Sequence, residues 1–338
     1  MSDELADFDY DLPPELIAQR PLEDRAASRM LHLPRDGSAI RHRAFRDLPT
    51  LLHPGDLLVF NRTRVTARRL RGRKESGGAV EALLMNRLGE GRYRSMVKPM
   101  ARLRDGSRLI FGDQLWAVYQ RIPGEDFVNL DFSDCPHAED TIAAIGEVPL
   151  PPYIRERLSD PERYQTVYAQ QGESAAAPTA GLHFTAELLA TLRDVGVNFA
   201  YLNLNVSTDT FRPIQASRLD DHPMHGETYD IDEAVAEAVA TCPGRVIAVG
   251  TTTVRALESA ATGPRLLSAG SSATKLFIRP GYAFRVIDGM LTNFHLPRTT
   301  MLLMLAALVG KSSLMEAYAE AVRERYRFLS FGDSMLIL

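Results

Sequence analysis

From Gly72 to about Leu150 the chain changes texture: short apolar-alternating stretches are cut by turn signals at Gly77-Gly78, Gly89-Glu90-Gly91, Asp105-Gly106, Gly112-Asp113 and Pro123-Gly124. Gly and Pro supply the backbone angles that tight turns demand, and a period of two between such turns is the pattern of half-buried strands. The stretch predicts a small all-β domain, a barrel. Before Arg62 and after Pro152, by contrast, strand patterns alternate with helix patterns, as in α/β domains. One architecture satisfies both observations: an α/β domain formed from residues 1–63 and 152–338, interrupted by an inserted all-β barrel domain over residues 64–151. With 338 residues, 45% of them hydrophobic, the chain can fill both cores.

The clearest local unit is Arg245-Val246-Ile247-Ala248-Val249-Gly250, a β-branched run that leads straight into Thr251-Thr252-Thr253 and a helix with Val254, Leu257 and Ala261 on one face. In open α/β sheets ligands bind beyond the carboxyl ends of strands, where helix N-termini present free N–H groups. Thr251, Thr252 and Thr253 are placed for that role. Upstream, Leu188, Leu189, Leu192 and Val195 form a helical stripe ending at Gly196, and Val197–Val206 is expected to be a buried strand. Ser313-Leu314-Met315-Glu316 has the pattern of a capping box opening a helix to about Tyr326, and Met335–Leu338 is expected to be a last strand.

Chemistry concentrates near the C-terminus. Alternation along Thr292–Leu296 puts Asn293 and His295 on one face of an extended segment that Pro297 then stops. A second segment, Ala177-Pro178-Thr179-Ala180-Gly181-Leu182-His183-Phe184, combines turn residues with a hydroxyl and an imidazole. His222, His225 and Glu227 stand within six residues. Two imidazoles can share an ion, but no further local ligand accompanies Glu227, so a general base, a ribose-hydroxyl acceptor or a capping network is preferred and no metal is expected. Arg255, one turn into its helix, either points into the crevice or pairs on the surface.

Arg62, Arg64, Arg68, Arg69, Arg71, Arg73 and Lys74 follow one another closely, and Lys98 lies further on. In a chain whose formal charge is −4, such density suggests a local phosphate-facing patch suited to a folded RNA; the plain alternative is a solvated face of the β domain. Two distant cysteines, Cys135 and Cys242, point to a reducing compartment, and cytoplasm is the expectation. The acidic N-terminus is unlike a leader, and the apolar run Met301–Val309 is too short to span a bilayer. No dinucleotide fingerprint, Walker loop or nucleophile elbow is present.

Phe8-Asp9-Tyr10-Asp11-Leu12-Pro13, Ile17-Ala18-Gln19, Pro54 to Val59, Tyr164 to Tyr168, Ala177 to Phe184, Gly250 to Ser259, Phe277 to Tyr282, Leu291 to Pro297, and Arg325 to Phe328 with Gly332-Asp333 run in one order from end to end. In these blocks the chain resembles the S-adenosylmethionine:tRNA ribosyltransferase-isomerase family. The resemblance implies an α/β domain interrupted by a barrel, and an enzyme that transfers and isomerises the ribosyl part of S-adenosylmethionine onto 7-aminomethyl-7-deazaguanine at the tRNA wobble position. Epoxyqueuosine forms, and adenine and methionine leave. S-adenosylmethionine is then a substrate, no cofactor is expected, and tRNA is the partner of a chain acting as a monomer. Rival expectations are an S-adenosylmethionine-dependent RNA methyltransferase and a diverged paralogue that binds RNA with altered or no catalysis.

Given that chemistry, His183, His222, His225 and Glu227 are the candidate bases for the attacking amine, and His295 and Asn293 the candidates for assisting the leaving adenine. Asn61, Arg64, Thr179, Thr251, Thr252, Thr253, Arg255 and Asn293 are the candidate substrate-binding residues, and Arg68, Arg69, Arg71, Arg73, Lys74 and Lys98 the candidates for holding tRNA. The chain departs from the family pattern at Arg62, where Asp is usual, across Asn205–Phe211, which loses an imidazole and two glycines, and at Gly226 and Lys275.

Overall fold

The computed structural model describes residues 5–170, 172, 174–206 and 226–338. The chain divides into two compact units, one of Met1–Arg64, Pro151–Gly172 and Ala177–Leu338, the other of Val65–Leu150 and Glu173–Ala176. An α/β unit and an inserted barrel are thus present, as the change of texture predicts.

The chain first lays down β1 (Arg29–Leu33), β2 (Arg41–Ala44) and β3 (Leu57–Asn61). The smaller unit follows, with β4 (Arg68–Lys74), β5 (Ala79–Gly89), β6 (Arg92–Lys98), β7 (Arg108–Ile110), β8 (Trp116–Arg121) and β9 (Val128–Asp131) closed in the order β4-β5-β6-β9-β8-β7. Its pleat sends Leu70, Val80, Ala82, Leu84, Val97, Leu109, Ala117 and Leu130 inside, and the helix α1 (Ala138–Ile145) adds Ala138 and Ile142 to that core. Closure removes the unpaired strand edges of an open sheet.

The larger unit is built on one mixed sheet. Its later members are the helix α2 (Ala186–Asp194), β10 (Asn198–Leu204), β11 (Glu227–Ile231), α3 (Glu233–Ala240), β12 (Val246–Val249), α4 (Thr251–Ala260), the small hairpin β13 (Ala261–Gly263) and β14 (Leu266–Leu267), β15 (Gly270–Thr274), β16 (Gly289–Asn293), α5 (Thr300–Val309), α6 (Lys311–Arg323) and β17 (Ser334–Ile337). The sheet order is β15-β11-β10-β3-β12-β16-β17-β1-β2. Neighbours β10, β3, β12 and β16 run parallel, β17 is antiparallel to β16 and parallel to β1, and the outer strands are antiparallel. Every residue of β3, β12, β16 and β17 is buried, the mark of strands covered on both faces.

One side of this sheet packs Phe45, Phe60 and Phe184 against Leu188, Leu189 and Leu192 of α2. Phe60 and Phe184 meet edge to face with centroids 5.0 Å apart. Below the sheet's lower rim Asp56 accepts from His53 N, Arg245 N and the Arg245 guanidinium (2.6 Å), tying β3 to β12. The expected capping box at Ser313 is not the start of its helix: Gly310, at φ 84°, separates α5 from α6, so Ser313 lies inside the first turn of α6. A positive-φ glycine outweighs a capping pattern three residues on, because only glycine takes that angle without strain. Among the described residues no single helix is long and apolar enough to cross a membrane.

Candidate active site

The parallel neighbours β12 and β16 end side by side, with Val249 opposite Leu291. At that end Gly250 N–H donates to Leu291 O (2.8 Å), and Gly250 turns the chain into α4 at φ 92°, ψ 153°. A side chain there is strained even though a Cβ would meet nothing closer than 3.7 Å, so conformation rather than space calls for glycine. α4 has no side-chain cap. Its first N–H groups therefore keep no intrahelical partner and concentrate the positive end of the helix dipole.

Above this turn lies an open cleft of about 590 Å³, counted out to its mouth. Thr251 and Thr252 form one wall, Thr292 to Leu296 a second, Ala177 to Ala180 a third, and Tyr153, Val206, Met301, Leu329 and Ser330 complete it. Among the described residues no Asp, Glu, Lys or Arg lines the cleft.

Asn293 and His295 both line it, as do Thr292, Phe294 and Leu296, so the whole segment beyond the middle of β16 borders the cleft rather than one alternating face. Asn293 is almost fully buried. Its Nδ2 donates to His183 Nε2 (3.1 Å), and no described protein group meets its Oδ1. On the other side of that imidazole, Nδ1 meets Ser28 Oγ (2.7 Å), whose own proton goes to Arg25 O (3.3 Å). Ser28 therefore accepts from Nδ1–H, and His183 is held as one neutral tautomer. It stacks on Phe45 with centroids 4.9 Å apart, and burial pushes its pKa down to about 3, with Arg327 and Arg25 adding to the effect. Both ring nitrogens of this candidate base are thus engaged by protein, Nδ1 by Ser28 and Nε2 by Asn293.

His295 is placed differently. Thr292 Oγ1 donates to Asn293 O (3.3 Å) and lies 2.8 Å from His295 Nε2, so Nε2–H donates to the threonine. Nδ1 is left without a proton and, among the described residues, without a protein partner. The backbone is fixed as well: His295 N–H donates to Tyr318 (3.0 Å), and the Tyr10 hydroxyl donates to His295 O. Burial lowers the His295 pKa to about 3. At neutral pH desolvation holds the ring in the neutral form, which leaves Nδ1 an acceptor.

Of the other candidates, Thr179, Thr251 and Thr252 line the cleft, whereas Thr253 is buried and donates back to Val249 O (2.7 Å). Asn61 is a seam residue, donating to Leu204 O (2.9 Å) and accepting from Leu204 N (3.1 Å), which locks β3 to β10. Arg64 pairs with Glu162 at 2.5 Å. Glu227 and Arg255, both buried, pair with each other outside the cleft lining, with Arg255 Nε donating to Leu276 O (3.3 Å). His222 and His225 lie outside the described residues. Among those described, no group of three or more His, Cys, Asp or Glu could hold a metal ion.

On the barrel the basic run is divided by the pleat. Arg69 faces Glu81 (3.4 Å), Arg71 faces Glu147 (3.6 Å), Lys74 donates to Ala101 O (2.6 Å) and Arg68 to Ala67 O (3.2 Å). Arg73 and Lys98 are exposed with no ion pair among the described residues. The departure at Arg62 has a local partner, Asp232 at 3.7 Å, so the reversed charge is compensated. Tyr153 and Ser330, 2.7 Å apart in the cleft wall, were missed from sequence because neither belongs to a periodic or motif-like segment. Burial raises the Tyr153 phenol far above its ordinary value, so it keeps its proton.

The sequence profile described as queuosine biosynthesis protein matches residues 5–337. The chain is 50% identical to an S-adenosylmethionine:tRNA ribosyltransferase-isomerase of Symbiobacterium thermophilum and 47% identical to one of Moorella thermoacetica, covering 99% of each partner in both alignments. A crystal structure of an S-adenosylmethionine tRNA ribosyltransferase from Thermotoga maritima is 37% identical and superposes with a TM-score of 0.56, covering 98% of this chain and 100% of that one.

Proposed function

The chain belongs to the queuosine biosynthesis protein family, and from that premise we propose that the cleft beyond β12 and β16 is where S-adenosylmethionine and the modified nucleoside react. As an S-adenosylmethionine:tRNA ribosyltransferase-isomerase, the protein transfers and rearranges the ribosyl group of its donor onto the aminomethyl base of tRNA, releasing adenine and methionine.

The observation that carries the assignment is the uncharged lining. The attacking alkylamine is mostly protonated at neutral pH, and a site that excludes water without offering a carboxylate favours the neutral, nucleophilic form. The same environment withholds hydration from the sulfonium, which strengthens its pull on the adjoining C–H and C–S bonds. The open N-terminus of α4 suits the donor's carboxylate, with Thr251, Thr252 and Thr179 around its polar groups. Asn293 Oδ1 accepts from a ribosyl hydroxyl, and His295 Nδ1 accepts from the amine as it attacks. Tyr153, which retains its proton, is the donor for the departing adenine.

The test is to incubate the protein with S-adenosylmethionine and tRNA carrying 7-aminomethyl-7-deazaguanine, then follow free adenine and the digested nucleosides by mass spectrometry. Adenine and epoxyqueuosine in equal amounts are expected. Methyl label retained on RNA would overturn the reading in favour of methylation, and tRNA binding without adenine release in favour of a non-catalytic binder.

A further inference from the structure

Behind the cleft lies a second cavity, of about 310 Å³, into which three arginines converge: Arg25, Arg163 and Arg327. No Asp or Glu lines it, and none of the three guanidinium groups has a carboxylate within ion-pair distance among the described residues. Backbone carbonyls hold them instead. Arg25 donates to Gln165 O (2.9 Å), Glu162 O (3.0 Å) and Leu182 O (3.1 Å), Arg163 to Glu23 O (3.0 Å) and Leu22 O, and Arg327 to Arg20 O. These contacts fix orientation without neutralising charge. Among the described residues Arg163 Nε and Arg327 Nη1 remain buried with no partner. The cost is visible in Arg25 and Arg327, whose pKa values are lowered first by burial and, for Arg25, next by Arg163; Asp160 and Glu162 offset part of this at Arg25, and Asp333 at Arg327, from beyond ion-pair distance.

Three half-buried like charges with unused donors form an anion site. Guanidinium forks match the paired oxygens of a phosphodiester, and they do so better than a lysine ammonium. The cavity is also well placed. Ser330 lines both cavities, and His183, in the wall of this one, is bonded to Asn293 in the wall of the other. One layer of side chains separates the anion site from the reacting groups. We propose that this arginine pocket binds a backbone phosphate of the RNA strand beside the modified nucleoside, so that the strand is anchored where its base enters the cleft. The proposal rests on the functional reading above.

Arg163→Gln and Arg327→Gln, each checked for an unaltered melting temperature, are compared with the wild type. Expected is a rise of about 10- to 100-fold in the KM for tRNA with the KM for S-adenosylmethionine held within about twofold, since one charge-assisted contact is lost. The slope of log Kd against log salt should fall by about one, and Arg163→Lys should recover part of the loss. Inorganic phosphate should compete with tRNA and not with S-adenosylmethionine. A raised KM for S-adenosylmethionine with unchanged tRNA affinity would overturn the proposal by assigning the pocket to the donor's carboxylate. Unchanged values for both would leave the arginines as clamps on the backbone. A wild type that releases no adenine would sink the functional reading alone, because tRNA affinity and its salt slope still report on the pocket.

Discussion

Two fully buried neutral histidines make the larger unit sensitive to mild acid. His183 and His295 each fall from an ordinary 6.5 to about 3 in the folded chain, chiefly by burial. The unfolded chain takes up a proton at each as pH drops below 6.5, and the folded chain does not until near 3. Stability is therefore full above the unfolded value and is lost as pH falls through the window between the two. From about pH 7 to about pH 5 the loss is about 2 kcal/mol per histidine and about 4 kcal/mol together, a large part of the stability of an ordinary domain. His32, lowered by burial and by Arg41 and Arg43, adds in the same direction. The assay is denaturant unfolding at a series of pH values for the wild type and for His183→Gln/His295→Gln. The double variant starts less stable, but its curve should be flatter by about 4 kcal/mol over that window, and this difference separates the histidines from the carboxylates. Parallel curves would refute the reasoning, because they would mean that both rings take up protons in the folded protein as they do in the unfolded chain; a difference of about 2 kcal/mol would mean that one does.

Because His295 stays neutral, the pH profile of kcat/KM should show no limb near about 6.5, and an ionisation there would contradict the acceptor role. His295→Ala should lower kcat by about 10²–10⁴-fold, measured by adenine release at a temperature where the variant is still folded. Gly250→Ala, forced to hold φ 92°, should lose about 1–2 kcal/mol in denaturant unfolding and raise the KM for S-adenosylmethionine as the start of α4 shifts. On the barrel, Arg73→Ala and Lys98→Ala should each weaken tRNA binding and lower its salt slope by about one, while Arg71→Ala, already balanced by Glu147, should do neither.

The architecture was legible because its signals are local. Turn dipeptides marked the barrel, and Val246–Gly250 running into Thr251 announced a strand, a turn and a helix whose junction does line the cleft. Asn293 and His295 do line the cleft, but so do Thr292, Phe294 and Leu296, so parity along the segment is not what puts them there. What sequence could not show is where each polar atom's second partner comes from. Ser28 lies 155 residues from the His183 it orients, and Asn61 lies 143 residues from the Leu204 it ties down. Both alter the role of a residue that its neighbours in sequence had suggested was free to meet substrate. Sequence likewise could not show that Glu81 and Glu147, from other segments, stand beside Arg69 and Arg71 of β4.

The seating of β17 between β16 and β1 bears on how the protein is made. Arg29 in β1 and Ser334 in β17 touch across 305 residues of chain, and β3 finds its partners β10 and β12 only after the barrel has been laid down. A ribosome therefore releases the barrel's strands, all near neighbours in sequence, long before the larger sheet can close. β1 must wait, its apolar row uncovered, until Ser334–Ile337 has been synthesised. A chain cut before Ser334 would deprive β16 and β1 of the strand they share, and would leave the larger sheet in two pieces.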